Sequence, residues 1–257
     1  SSYSVTGVQT CALPIFLIVF LFSVGPLLFI EEPRELAPEK AQEEENAKSD
    51  HHAVQKTDWR ELFKLYFAHA FSWLGIQTMF VYMFAFLEQK LPAAPGMATD
   101  AWNAQLGAMI GWSFFILNAI GAIWPAFLLE PMARRIGRVR THALMVAIMA
   151  MGYLGIVFLA TNTIMLYTLM GVLTFGWAAV VSLPFAIMSE KVDKSRMGFF
   201  MGIFNLSVVL PQLVASSVIG LVINHAEDKA VVFIISGISL AVSAGLWLLV
   251  KESAEKQ

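Results

Sequence analysis

Six apolar runs follow one another between Leu62 and Val250, each near or above the ~20 residues that a helix needs to cross a bilayer. They are Leu62–Leu87, Leu106–Leu129, Ala143–Thr161, Ile164–Ser189, Met197–Ile223 and Val231–Val250. In hydrocarbon every backbone N–H and C=O must be satisfied within the segment, so the runs are expected to be helices. Charged residues make up 14% of the chain, well under the about 25% of a soluble domain. They cannot cover a water-facing surface. The expected class is an all-α integral membrane protein.

A seventh apolar run, Phe16–Ile30, is only fifteen residues long and reads as a truncated span. Ser1–Ile15 differs in character from the rest of the chain. It lacks a basic start and a small-residue cleavage site, so it makes a poor signal peptide. Within it, VTGVQTCALPI reads as one frame of a common sequencing adapter, and residues 1–15 are expected to be a non-native scar; the other reading is a genuine N-terminus. Residues 31–60 are a solvated linker with Pro33, Pro38 and the run Glu43-Glu44-Glu45. The pair His51-His52 is read either as a metal-binding pair or as two exposed loop histidines. The single cysteine, Cys11, excludes a disulfide framework and a thiolate metal cluster.

The loops alternate in charge. Arg134, Arg135, Arg138 and Arg140 occupy one loop, and Lys191, Lys194 and Arg196 the next on the same side. The linker and the tail 251–257 add further basic residues, whereas the opposite loops hold only Lys90 and Lys229. The expectation is seven spans, with the linker and C-terminus cytoplasmic in the cell (inner or plasma) membrane. The outer loop is read as 88–105 and the basic loop as 130–142. The hairpin between the third and fourth complete spans is read as Asn162-Thr163.

Polar residues at bilayer depth are costly and point to a functional interior. His69, Trp73 and Gln77 recur every four residues and share one helix face. His69 is read as the one ionisable residue deep in a span. It is either a proton-carrying group or a neutral ring bonded to a neighbouring helix. Asn118, with Trp112 in the same run, is either a solute contact or a bond between helices. The stretch from Gly176 to Gln212 holds Trp177 and Pro184, the charged hairpin Glu190–Arg196, and then Asn205, Pro211 and Gln212. Asn205, Gln212 and Ser216 fall on one stripe. The pairs Gly107/Gly111 and Gly198/Gly202 are expected to allow close helix packing. No P-loop, H-E-x-x-H or G-x-S-x-G motif occurs, and no carboxylate pair lies within a span. The sequence therefore argues for no enzyme, cofactor or metal site, and the balanced charge for no nucleic-acid partner.

Together these residues resemble the C-terminal half of a major facilitator superfamily transporter. The loop Ala133-Arg-Arg-Ile-Gly-Arg-Val-Arg140 is similar to the basic loop between the second and third helices of a half, although no Asp precedes its arginines. Phe71-Ser-Trp73, Gly202-Ile-Phe-Asn205 and Val208-Val-Leu-Pro211-Gln212 are similar to glycoside–pentoside–hexuronide and sucrose–proton symporters, over roughly residues 16–250. The resemblance implies seven spans here, the first ending one half and six forming the other half, 61–250. It implies uptake of a sugar, a disaccharide or glycoside, driven by H+ or Na+, by alternating access against a missing N-terminal half. Trp73, Gln77, Asn118, Trp177, Asn205 and Gln212 would line the pathway, with His69 a substitute proton-coupling group. Gly198, Gly202 and Pro211 would shape packing, and Arg134 and Arg135 would make gate contacts. The alternatives are a major facilitator carrier of a non-sugar metabolite, a seven-span scaffold and a membrane enzyme.

Overall fold

The computed structural model describes residues 57–252 together with Leu17, Phe20 and Leu21. Residues 1–53 and 54–257 form separate units. In the first, the three described residues are helical and exposed. The readings placed on the scar, most of the truncated span, most of the linker with His51-His52, and the end of the tail lie outside the described residues.

The second unit is helical throughout its described residues, apart from short turns. α1 is Trp59–Lys90, α2 Thr99–Gly121, α3 Glu130–Ile136, α4 Arg138–Leu159, α5 Thr163–Ser189, α6 Met197–Val214, α7 Gly220–His225 and α8 Val231–Trp247. Single π-helical turns, Pro125–Leu129 and Ala215–Ile219, join α2 to α3 and α6 to α7. Pro211 lies inside α6, and the wide turn begins one turn after it. A proline lacks the N–H for its i→i−4 bond, and a local wide turn is one way a helix absorbs that loss. Among the described residues five helical segments are long and apolar enough to cross a membrane, the fifth running through Lys194–His225, and Val231–Trp247 is a shorter apolar helix.

The helices outrun the apolar windows. Thr99–Gln105, expected as loop, is the first part of α2, so the loop shrinks to 91–98. The basic loop 130–142 is mostly helix, with Glu130 in the first turn of α3 and Arg134 and Arg135 in its last. These signs complement the helix dipole. Gly137, at φ 92°, separates α3 from α4. A side chain there would be strained and would also strike the Glu252 carboxylate. Thr163 belongs to α5, whose first turn is capped by Asn162 Oδ1 accepting from Met165 N at 2.9 Å.

α8 packs between α1 and α4, α4 pairs with α5, α5 with α2, and α1 with α6. The close approaches are made by glycines other than the expected pairs. Gly75 on α1 abuts Ser236 O on α8, where a Cβ would lie 2.6 Å from that oxygen. Gly176 on α5 abuts Met149 and Met145 on α4. At Gly107, Gly111, Gly198 and Gly202 a Cβ would meet nothing within 4 Å. Those pairs lie on α2 and α6, which are among the least buried of the spans.

Candidate functional site

Four of the residues singled out from the sequence lie in one connected cluster. His69 and Trp73 stand one turn apart on α1, and the Trp73 indole N–H donates to His69 Nε2 at 2.9 Å. The Trp73 ring meets the Trp177 ring of α5 edge-on, with centroids 6.3 Å apart. Trp177 Nε1 in turn donates to Asn118 Oδ1 of α2 at 3.2 Å. Asn118 Nδ2 donates to Phe114 O at 2.9 Å, which fixes the direction of the amide. Phe80 lies 5.4 Å from Trp177 and 5.0 Å from Phe114. Gly121, on the turn after Asn118, makes room for the Trp177 ring, because a Cβ there would lie 3.0 Å from it.

The cluster lies at mid-depth: Trp73 is near the middle of α1 and Trp177 near the middle of α5. His69 is 1% exposed, Trp73 and Trp177 are half-buried, and Asn118 is exposed. Polarity therefore runs from the core outward to one side of the bundle, where indole faces and an amide are presented together. Such a surface can stack on the apolar face of a solute and hydrogen-bond its edge.

The other candidates are placed apart from it. Gln77 and Gln212 are half-buried and Asn205 is exposed; among the described residues no hydrogen bond joins their side chains to the cluster. Phe204, next to Asn205, is the α6 residue that reaches it, stacked on the His69 ring at 4.8 Å. Arg134 pairs with Glu130 within α3 at 3.0 Å. It is Arg138 that reaches the hairpin, in an ion pair with Glu190.

Two groups at the cluster escaped the sequence. His142, read as the end of the basic loop, lies inside α4 and is fully buried, so His69 is not the one ionisable residue at depth. Trp247 of α8 is also fully buried, with its ring 4.2 Å from His142 and 6.5 Å from His69. With α4 starting at Arg138, His142 falls on the same face as Val139, Met145, Val146 and Met149. That periodicity was the available signal.

A charged clamp closes one end of the bundle. Glu61 Oε2 accepts from Lys251 N at 2.7 Å and its Oε1 from Lys64 Nζ at 2.7 Å. Lys191 Nζ donates to Lys251 O at 2.6 Å, and Arg140 N donates to Glu252 Oε1 at 3.0 Å. Burial pushes the Lys191 ammonium below its ordinary pKa, and Glu61, Glu252 and Asp58 oppose that shift. Asp193 is held low by the Ser195 hydroxyl and N–H. These contacts tie α1, the α5–α6 hairpin, the start of α4 and the end of α8 into one plate.

A sequence model described as Major Facilitator Superfamily matches residues 5–216 and 92–257. The chain belongs to the major facilitator superfamily. It is a multi-pass integral membrane protein of a transporter family. Two solved structures share the fold. One, described as an auto-inhibited POT family peptide transporter, has a TM-score of 0.61 and 18% identity, over 74% of this chain and 37% of that one. The other, the POT family transporter PepTSo, has a TM-score of 0.62 and 17% identity, over 77% and 39%. The chain thus spans under two fifths of each of these proteins. No curated protein matches it.

Proposed function

We propose that this chain is the C-terminal half of a secondary active transporter that carries a sugar, a disaccharide or glycoside, in symport with H+ or Na+. The observation that supports the reading is the mid-depth chain Trp73–Trp177–Asn118, which joins α1, α5 and α2 and opens on one side of the bundle. A site between two rocking halves would lie at this depth. The indole faces would stack on a pyranose ring and the Asn118 amide would bond its hydroxyls. In this reading the partners are the sugar, the bilayer and an N-terminal half, and the charged clamp faces the cytoplasm of the inner or plasma membrane.

A second reading keeps the superfamily and changes the solute. One structural neighbour is described as a POT family peptide transporter and the other as a POT family transporter, and a non-sugar carrier fits the fold as well. Against a peptide, the cluster itself presents neutral groups, and a zwitterion's termini would lose hydration without an opposite charge beside them. Direct uptake of labelled sucrose and of a labelled dipeptide by the complete transporter separates the readings. Sucrose uptake, with unlabelled maltose competing and no dipeptide uptake, is expected; dipeptide uptake without sucrose uptake would select the non-sugar carrier. In the same assay Asn205→Ala and Gln212→Ala are expected to weaken uptake about 3- to 10-fold, through one lost hydrogen bond each. Unchanged affinity and rate would remove α6 from the pathway.

A further inference from the structure

Three buried ring nitrogens lack a hydrogen-bond partner among the described residues, His69 Nδ1, His142 Nε2 and Trp247 Nε1, and their rings meet at Trp247 behind the aromatic cluster. They come from α1, α4 and α8, and their residues are 1%, 0% and 0% exposed. The Trp247 ring stands edge-on to both imidazoles, 6.5 Å from His69 and 4.2 Å from His142. Buried polar atoms normally have partners, and each exception calls for an explanation.

The hydrogen bonds fix both tautomers. An indole nitrogen only donates, so His69 Nε2 must be bare to accept from Trp73. The proton of neutral His69 is then on Nδ1. A carbonyl oxygen only accepts, so the His142 Nδ1 that meets Ala179 O at 3.3 Å must carry the hydrogen, and Nε2 is bare. His69 therefore turns a donor toward the core and His142 keeps an acceptor there. The Trp247 N–H adds a second donor.

We propose that His69 and His142 form a single proton-holding site, in which a proton on His69 and the Trp73–His69 hydrogen bond exclude one another. The one free lone pair of neutral His69 is on Nε2, and Trp73 occupies it. A proton from hydronium adds to that lone pair and makes an imidazolium. The indole N–H then faces a second N–H and must turn away. Trp73 packs on Trp177, which holds Asn118, so the proton would act on the pathway through one ring contact and one hydrogen bond. This deepens the transporter reading and rests on it for its purpose. The chemistry rests only on the four rings.

Neutral residues surround the site on the elements packed against it. Trp73 faces it from α1, Phe204 from α6, Ala179 from α5 and Trp247 from α8, with Tyr66 of α1 against the Phe204 ring. Tyr66 is titratable, and its hydroxyl points to Phe200 O at 3.4 Å. His142 is the other titratable ring at the site, beside the same Trp247. Glu61 and Lys64 sit on α1 toward the charged end, Glu61 about 12 Å along the helix at 1.5 Å per residue. Two imidazolium ions against the same Trp247 ring, with no carboxylate beside them among the described residues, would repel one another, so the pair holds one proton, not two.

Nitrogen NMR of the 15N-His, 15N-Trp chain in lipid bilayers tests this without any transport assay. His69→Gln and His142→Asn assign the signals, and Trp73→Phe assigns its indole. At neutral pH both histidines are expected as Nδ1–H tautomers, the minor form of free imidazole in water. On acidification one imidazolium is expected from the pair, with the Trp73 indole signal moving at the same midpoint. In Trp73→Phe, His69 is expected to lose its tautomer preference. The proposal is overturned if His69 is the Nε2–H tautomer, if His69 gains no proton before the chain unfolds, or if it gains one while the Trp73 signal stays still. Each result stands whether or not the transported solute is a sugar.

Discussion

Gly176→Leu and Gly75→Leu are expected to prevent the helical bundle from assembling. At Gly176 an added Cβ runs into the Met149 side chain and lies 2.9 Å from Met145 O. At Gly75 it lies 2.6 Å from Ser236 O, with Leu240 and Ser239 both at 3.2 Å. A flexible side chain can move aside, but a backbone oxygen moves only with its helix. The Ala variants should cost about 1–3 kcal/mol each and the Leu variants more. Thermal unfolding in detergent micelles measures this, with a large fall in Tm for Gly176→Ala. Gly202→Ala is the comparison. Its Cβ meets nothing within 4 Å, so the change should be near neutral, or slightly favourable because Ala is the better helix former. Equal losses at Gly176 and Gly202 would contradict the packing described.

Trp177→Ala is expected to reduce solute binding by the complete transporter about 30- to 100-fold, the largest effect of any pathway substitution. The change removes a stacking face, the edge contact to Trp73 and the donor to Asn118 together, worth roughly 2–3 kcal/mol. Trp177→Phe should recover part of the loss, because it keeps a ring but not the N–H. Asn118→Ala should cost about 10-fold. Equilibrium binding, rather than uptake alone, separates a lost contact from a slowed conformational step. A Trp177→Phe protein as weak as Trp177→Ala would place the hydrogen bond, not the ring, in control.

Much of this fold was legible because a bilayer makes hydropathy decisive. An apolar window marks where a helix crosses, but it does not mark where the helix stops. Thr99–Gln105 and Glu130–Ile136 continue as helix through polar sequence because each residue still finds its i→i−4 partner. The same effect hid His142, whose neighbours Arg138 and Arg140 gave it the look of a loop residue. The i, i+4 relation of His69 and Trp73 was visible in the sequence, and the structure joins them directly. The meeting of Trp73 with Trp177, and of Trp177 with Asn118, was not visible. Residues more than fifty positions apart are brought together by helix order and rotation, which a single sequence does not encode in any local pattern. The glycine pairs misled for a related reason. Small-x-x-x-small spacing permits close approach, but on α2 and α6 no described helix of this bundle approaches those positions.

In the proposed transporter, the side of the bundle bearing Trp177 and Asn118 lines a water-accessible pathway rather than facing lipid. Cysteine labelling in a cysteine-free version of the complete transporter is the decisive test. Asn118→Cys and Ile120→Cys point to nearly opposite sides of α2, being two residues apart on a helix of about 3.6 residues per turn, and both positions are exposed at the surface of this bundle. A membrane-impermeant maleimide, applied to membranes open on both sides, is expected to label position 118 rapidly and position 120 hardly at all. Rapid labelling at 120 with none at 118 would put Asn118 against lipid and contradict the pathway.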